Sequence, residues 1–275
     1  MLKLSKKYFP ENYVVLKEYD EATINEMAEG NSLGGYVYDI PTVVHEGYHA
    51  YTGVHSDYDD SVMIYRINDT LSFYVKTMKT FPAREINAIV PDSLQNKIFR
   101  YKTYVDAKDK YLVTQQFGIL GLLEEMTAYY QSYHTSVALF NYLKDNGWKN
   151  SKPYLDYLGR IASYRYSIAE FELFISWYLQ YARLKYPSVY KNIVSNKELK
   201  QMLSFIHNEN AKLASQYNRN LQEILQRFSK QLVTGKNFIY NKENLTGTGL
   251  YDTEYKEMND LLARPEHNDY RKLLQ

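Results

Sequence analysis

A His-Glu-x-x-His motif at residues 45–49 constrains this chain of 275 residues more than any other feature. In a helix, His45 and His49 lie one turn apart on the same face, where both imidazoles can reach one metal ion. Glu46 follows the first histidine and can accept a proton from a water molecule at that metal. The motif therefore predicts a helix that carries a catalytic metal site.

The residues before the motif predict how this helix begins. Residues 31–35 predict a turn, and residues 35–39 predict a short strand that runs into the helix. Asp39 can cap free backbone N–H groups, and Pro41 suits the first turn because its missing donor costs nothing there. A strand in this place would present an edge to the extended backbone of a substrate.

A catalytic zinc site needs three protein ligands and an open position, so a third ligand must come from elsewhere in the chain. Glu125 is the first candidate. In a helix it shares a face with apolar neighbours such as Leu122, where an unpaired carboxylate is costly to bury and therefore favours a cation. Glu124, on a wetter side of the same helix, and His55, six residues after His49, are the alternatives.

These motifs resemble those of the gluzincin metallopeptidases. In that group a glutamate on a downstream helix completes His-Glu-x-x-His, and here the small residue Ala128 follows Glu125 by three positions, as in the glutamate helix of that family. The resemblance implies that His45, His49 and Glu125 hold one Zn²⁺. It also implies that Glu46 is the general base in the hydrolysis of a peptide or protein substrate.

The same resemblance implies a side chain that stabilises the oxyanion, which in this class is often a tyrosine or a histidine. Tyr129 lies one turn beyond Glu125 on the same helical face and is our candidate for this catalytic role, with packing as the alternative. His134 and His207 are further candidates, although a histidine in a helix commonly has only a structural role.

A second resemblance, to the metzincins, rests on His55. The third histidine of that group also follows the second by six residues, and residues 61–63, Ser-Val-Met, are similar to its methionine turn. The chain departs from the pattern at Thr52, where metzincins have a glycine because the backbone turns sharply, and Gly53 comes one position late. We therefore favour Glu125 over His55 as the third ligand.

The composition excludes several other kinds of site. The absence of cysteine rules out disulfides, thiolate zinc sites and cysteine nucleophiles, and the formal net charge of +1 gives no attraction towards nucleic acid. We expect no membrane span, because no stretch is long and apolar enough, and no signal peptide at residues 1–10. The localisation, including secretion, and the oligomeric state stay open.

The remaining patterns predict a mostly helical α+β fold. Strands are expected at residues 13–16, 61–68 and 71–79, with a turn between the last two. Helices are expected at residues 21–29, 91–104, 111–144, 153–186 and 196–232, and a loop at residues 235–249. We expect one compact unit, with a zincin-like core over residues 1–145 and a helical subdomain over residues 146–275. The alternative function is a zinc-binding, non-proteolytic protein that binds a protein partner.

Overall fold

The computed structural model describes residues 2–17, 19–28, 33–56, 61–146 and 150–275. Over these residues the chain is mostly helical and carries two small antiparallel sheets, which confirms the predicted mostly helical α+β class. A large hydrophobic core extends from Phe9 to Leu273 and contains side chains from both halves of the chain. In the described ranges, no helix combines the length and the apolar character that crossing a membrane requires.

Three short helices precede the motif helix. They are α1, Leu2–Tyr8; α2, Pro10–Leu16; and α3, Glu21–Met27. Pro10 occupies the first turn of α2, where its missing N–H is tolerated, and the Asp20 side chain accepts a hydrogen bond from the Thr23 N–H at the start of α3. The predicted strand at residues 13–16 is wrong, because these residues continue the helix that Pro10 begins.

The motif helix α4, Leu33–His55, begins earlier than predicted. The strand at residues 35–39 and the helix start at Asp39 are wrong, because these residues form the first turns of a helix whose following turns are held against the core by the buried Ile40, Val43 and Val44. Pro41 therefore lies inside α4, where it removes one intrahelical hydrogen bond. The carbonyl oxygen of Pro41 accepts a hydrogen bond from Ser132 Oγ at 2.8 Å. Residues 31–32 of the predicted turn lie outside the described residues.

A β-hairpin follows α4. Strands β1, Val62–Arg66, and β2, Ser72–Lys76, pair antiparallel, with Val62 opposite Lys76 and Arg66 opposite Ser72. Asn68 closes the turn, because its Oδ1 accepts hydrogen bonds from the N–H groups of Thr70 and Leu71, at 2.9 Å each. The predicted pair of strands and the turn between them are confirmed, and the hairpin packs beside α4 through β1.

Short helical turns lie between the hairpin and the next long helix. They are a 3-10 helix, Ala83–Ala88, and α5, Asp92–Gln95; α6, Tyr101–Tyr104; and α7, Val113–Gln116. The helix predicted over residues 91–104 is therefore two separate turns, and the one predicted over residues 111–144 is divided into α7 and α8, Ile119–Asp145. Gly118 makes this break: its φ is +56°, and a Cβ there would lie 2.3 Å from the carbonyl oxygen of Phe81.

The second half of the chain supplies the other long helices. They are α9, Lys152–Lys185; α10, Pro187–Ser195; and α11, Lys197–Arg227. The predicted helices at residues 153–186 and 196–232 are confirmed, although the second ends at Arg227. The Asn196 side chain caps α11 by accepting a hydrogen bond from the Leu199 N–H at 3.0 Å. Helix α8 packs against α4, α9 and α11, so it joins the motif helix to the helical second half.

A small sheet and two short helices follow α11. The strands β3, Leu232–Thr234; β4, Phe238–Asn241; and β5, Gly247–Gly249 form an antiparallel sheet. The loop predicted at residues 235–249 is wrong, because Ile239 is buried and the sheet packs against α9, and this tertiary contact outweighs the turn-rich composition. Helices α12, Asp252–Leu262, and α13, Asn268–Leu273, flank a 3-10 turn at Pro265–His267.

Candidate metal centre

Helices α4 and α8 meet where both carry buried polar side chains. Ala128 of α8 is fully buried against Tyr48 of α4, and its small side chain allows the two helices to approach closely. One turn further along α8, Ser132 donates the hydrogen bond to the carbonyl oxygen of Pro41. These two contacts hold the turn of α8 before Ala128, which carries Glu124 and Glu125, opposite the His45–His49 motif.

Three potential ligand atoms converge there, namely Nε2 of His45, Nε2 of His49 and Oε2 of Glu125. The two nitrogens are 3.0 Å apart, and the oxygen lies 3.7 Å from the His45 nitrogen and 3.6 Å from the His49 nitrogen. A circle through these three atoms has a radius of about 2.0 Å, which matches zinc–nitrogen and zinc–oxygen bonds of about 2.0–2.2 Å. Among the described residues, this is the one group of three acidic or histidine side chains with the geometry for a metal ion.

The burial of these groups also fits a cation. Oε2 of Glu125 is buried and accepts no hydrogen bond from any described residue. Burial is the main cause that raises the pKa of Glu125 to about 8, and the charge of Glu124 adds to it. Burial likewise lowers the pKa of His45 to about 3, so its imidazole is neutral, as a metal ligand must be. A divalent cation would lie closer to this oxygen than the His49 ring does and would replace the proton that the raised pKa values of Glu125 and His49 favour.

Glu124 lies behind the ring of His49. Its Oε1 is 2.7 Å from His49 Nδ1, the ring nitrogen that does not face Glu125. Burial alone lowers the pKa of His49, but the hydrogen bond to Glu124 and the nearby carboxylate charges raise it to about 9. The wetter surroundings expected for Glu124 are wrong, because its side chain is only 4% exposed beneath α4. Glu124 therefore orients the ring of a candidate ligand, His49, and is not itself one of the three converging groups.

Tyr129 packs beside the first ligand. Its ring meets the His45 ring edge-on, with the centroids 4.7 Å apart, and its hydroxyl lies 3.0 Å from that of Tyr104. The guanidinium of Arg100 lies 4.7 Å from the centroid of the Tyr129 ring, and Glu170 holds Arg100 through a 2.8 Å ion pair. Tyr129 therefore packs on the candidate ligand His45 and also belongs to a polar network with Tyr104 and Arg100.

Tyr104 and Arg100 are residues of this site that the sequence analysis missed. Burial, with the charge of Glu125 adding to it, raises the pKa of Tyr104 above its ordinary range, so the hydroxyl stays protonated and able to donate. Neither residue belongs to a motif, and Tyr104 is one of 30 tyrosines in the chain. No sequence signal separates it from the others.

Glu46 is exposed on α4 and follows the candidate ligand His45 in the chain. Its charge contributes to the raised pKa values of His49 and Glu125, so its carboxylate is within electrostatic range of both. Behind it, the Tyr19 hydroxyl donates to the backbone carbonyl oxygen of Glu46 at 3.2 Å. An exposed carboxylate within electrostatic range of His49 and Glu125 is available to act as a general base.

The other candidates have different partners. His55, at the end of α4, is exposed and lies against Tyr51, with the ring centroids 4.2 Å apart. Met63, the residue of the methionine-turn pattern, is buried in β1. His134 lies 3.4 Å from the Glu11 carboxylate, and His207 lies 2.7 Å from that of Glu172. The group that contains Glu125 includes none of them.

Comparisons with family models, with curated proteins and with solved structures found no match for this chain. The functional interpretation therefore depends on the motifs and on the geometry of the site.

Proposed function

We propose that this chain is a zinc-dependent metallopeptidase with a gluzincin-like, zincin-type core. The observation that carries the proposal is the convergence of His45, His49 and Glu125, with Glu46 exposed on the helix that carries both histidines. A structural zinc site normally closes all four positions with protein ligands and has no use for a base. Three ligands together with an exposed carboxylate therefore favour hydrolysis over a non-proteolytic zinc-binding protein.

Each side chain has a distinct task in this proposal. His45, His49 and Glu125 hold the ion, and Glu124 orients the ring of His49. When bound, Zn²⁺ lowers the pKa of a water molecule in the open position and polarises the carbonyl of the substrate.

Two further residues handle the proton and the developing charge. The Glu46 carboxylate accepts a proton from the attacking water and passes it to the nitrogen of the leaving amine. Tyr129 supports His45 through its ring, and its hydroxyl donates to the carbonyl oxygen of the substrate as negative charge develops there.

The test is turnover of a peptide library by the zinc-loaded wild type and by Glu46→Gln. The amide cannot act as a base but keeps the size of the side chain, so we expect turnover to fall by about 10²–10⁴-fold. The zinc content should not change, because Glu46 is not a ligand. Glu26→Gln is the matched control, since Glu26 is also exposed but lies on α3.

Wild-type turnover in the control together with loss in Glu46→Gln would support the proposal. Unchanged turnover in Glu46→Gln would remove Glu46 from the mechanism. A wild type that binds zinc in stoichiometric amount and cleaves no peptide of the library would favour the non-proteolytic alternative.

A further inference from the structure

Helix α9 carries a half-buried arginine, Arg160, whose charge is not balanced by a neighbouring carboxylate. Arg165 and Arg183, the other arginines of α9, each form an ion pair with an aspartate. No acidic side chain in the described ranges forms such a pair with Arg160. Its guanidinium carbon lies instead 3.4 Å from the centroid of the Tyr38 ring in α4, as in a cation–π stack. A half-buried cation of this kind is able to gain an anionic partner.

The terminal nitrogens of Arg160 are the atoms available for such a partner. Nε is buried and has no hydrogen-bond partner among the described residues, so a ligand cannot reach it. Nη1 and Nη2 are not buried in this way, and they donate no hydrogen bond to any described residue. The ring of Tyr38 supports one face of the guanidinium and leaves its edge free. A planar guanidinium held in this way presents a pair of donors that matches the two oxygens of a carboxylate.

The stacked ring lies on the same face of α4 as both candidate histidine ligands. The steps from Tyr38 to His45 and to His49 are close to two and three whole helical turns. Tyr38 is 46% exposed, and Thr42, between it and His45, is only half-buried, so this face is open to solvent. At a rise of 1.5 Å per residue, Tyr38 lies about 10 Å along α4 from His45. An extended peptide covers that distance with about three residues.

Packed aromatic rings connect Arg160 with the metal centre beneath this face. Tyr164, one turn after Arg160 on α9, is buried, and its ring centroid lies 6.2 Å from that of Tyr129. The Tyr129 ring in turn packs edge-on against His45. Helix α9 is therefore held against the metal centre, and the position of Arg160 relative to His45 is set by packed side chains.

We propose that Arg160, supported by Tyr38, binds a carboxylate of the substrate about three residues from the bond that is cleaved. This inference rests on the proposed peptidase function. A peptide carries such a group at its C-terminus or on an aspartate or glutamate side chain. Arg160 determines specificity in this proposal and takes no part in the chemical step, because it lies about two turns of α4 away from the candidate ligands.

Equilibrium binding of peptides tests the proposal without turnover. The protein is zinc-loaded Glu46→Gln, and the probes are alanine-based octapeptides. Two of them are capped at both ends and differ only in a central glutamate or glutamine, and a third has no acidic side chain but a free C-terminal carboxylate. We expect one or both carboxylate peptides to bind about tenfold more tightly than the glutamine peptide, as for a hydrogen bond to a charged group. Tighter binding of the glutamate peptide supports an acidic side chain as the source, and tighter binding of the third peptide alone supports the C-terminus.

Variants in the same background assign the binding to Arg160. Arg160→Gln removes the charge, so the affinities for the charged and uncharged peptides should become equal. Arg160→Lys should keep part of the difference, because the ammonium retains the charge but cannot form the two parallel hydrogen bonds. Arg219→Gln is the control, since Arg219 is exposed on α11 and its guanidinium contacts Gln216 of the same helix. Circular dichroism checks that each variant is folded.

Cleavage by the wild type then tests the predicted spacing. When the glutamate is moved along the capped octapeptide, mass spectrometry of the products should place the cut about three residues from it, and Arg160→Gln should lose this relation. Carboxylate-dependent binding that Arg160→Gln abolishes, without any cleavage, would support the Arg160 site and contradict the peptidase function. Cleavage with equal affinity for charged and uncharged peptides, or a difference in affinity that persists in folded Arg160→Gln, would overturn the proposal and leave the peptidase function in place.

Discussion

At the scale of single residues, the rings of both candidate ligands, His45 and His49, have a neighbour from α8 that fixes their orientation. Nδ1 of His49 lies 2.7 Å from Glu124 Oε1, and the ring of His45 packs edge-on against Tyr129. Such partners fix which nitrogen of an imidazole faces the metal, and they strengthen the ligand. Here both Nε2 atoms are turned towards Glu125, which is why the three atoms converge.

Replacement of Glu124 tests this role. Glu124→Gln keeps the size of the side chain but removes the charge behind His49, so we expect zinc affinity to fall by about 10–100-fold. Glu125→Gln removes a ligand and should lower the affinity further, while Glu26→Gln should leave it unchanged. Competition with a chromophoric chelator measures all three. Equal zinc affinity in the wild type and Glu124→Gln would contradict the role of Glu124.

The sequence predicts the candidate ligands better than it predicts the residues that orient them, such as Glu124. The spacing of His45 and His49 predicts a shared face, and the apolar neighbours of Glu125 predict a need for a cation. The contact between Glu124 and His49 depends instead on how α4 and α8 approach each other, which no local pattern encodes. Tyr104 reaches the site only through the packing of residues far apart in the chain.

At the scale of elements, close packing of α7 on α8 positions the turn that carries Glu125. A Cβ on Gly121, one turn before Glu125, would lie 2.2 Å from the carbonyl oxygen of Val113 in α7. Backbone cannot yield as a side-chain tip can, so any larger residue at position 121 must move one of the two helices. Helix α7 can therefore lie this close to α8 only because residue 121 is a glycine.

Gly121→Ala should consequently destabilise the fold and weaken zinc binding. We expect a loss of about 1–3 kcal/mol in the free energy of unfolding, as for other overpacked interiors. Gly53→Ala is the matched control, because Gly53 is also helical and a Cβ there meets nothing within 4 Å. That change should stabilise by up to about 1 kcal/mol. Urea unfolding gives both values, and a Gly121→Ala protein as stable as the control would refute the close contact.

Some helices and strands could be predicted from the sequence, and others could not. The long helices α9 and α11 follow from apolar residues at spacings of three and four, and the β1–β2 hairpin follows from Asn68 in its turn. Residues 35–39 are rich in the strand-forming residues Tyr and Val, yet they continue directly into the helix whose apolar face is buried at residues 40–48. Burial on one side of a helix outweighs a short local pattern.

At the scale of the whole molecule, the C-terminal segment is docked on α9 by a buried histidine. His267 lies 2.8 Å from Ser176 Oγ and 3.2 Å from Gln180 Nε2. Burial lowers the pKa of His267, whereas the hydrogen bond from His207 to Glu172 raises the pKa of His207. The two histidines therefore affect stability in acid with opposite signs.

The pH dependence of the free energy of unfolding distinguishes the contribution of His267 from that of His207. Below about pH 6.5 the unfolded chain binds a proton at position 267 more readily than the folded chain does, so the stability contributed by His267 is lost as the pH falls. His207 contributes stability below that pH and loses it as the pH rises through its raised pKa. Between pH 7.5 and 5.5, His267→Gln should lessen the loss of stability and His207→Gln should enlarge it. Urea unfolding of metal-free protein measures both, and a change of the same sign in the two variants would contradict these assignments.

We propose that His45, His49 and Glu125 hold one catalytic zinc ion. Metal content by mass spectrometry tests it most directly, on the wild type, Glu125→Ala and His55→Ala, each purified without added metal. We predict about one zinc per chain in the wild type and in His55→Ala, and its loss in Glu125→Ala. No zinc in the wild type after its addition, or loss of zinc in His55→Ala alone, would contradict the claim.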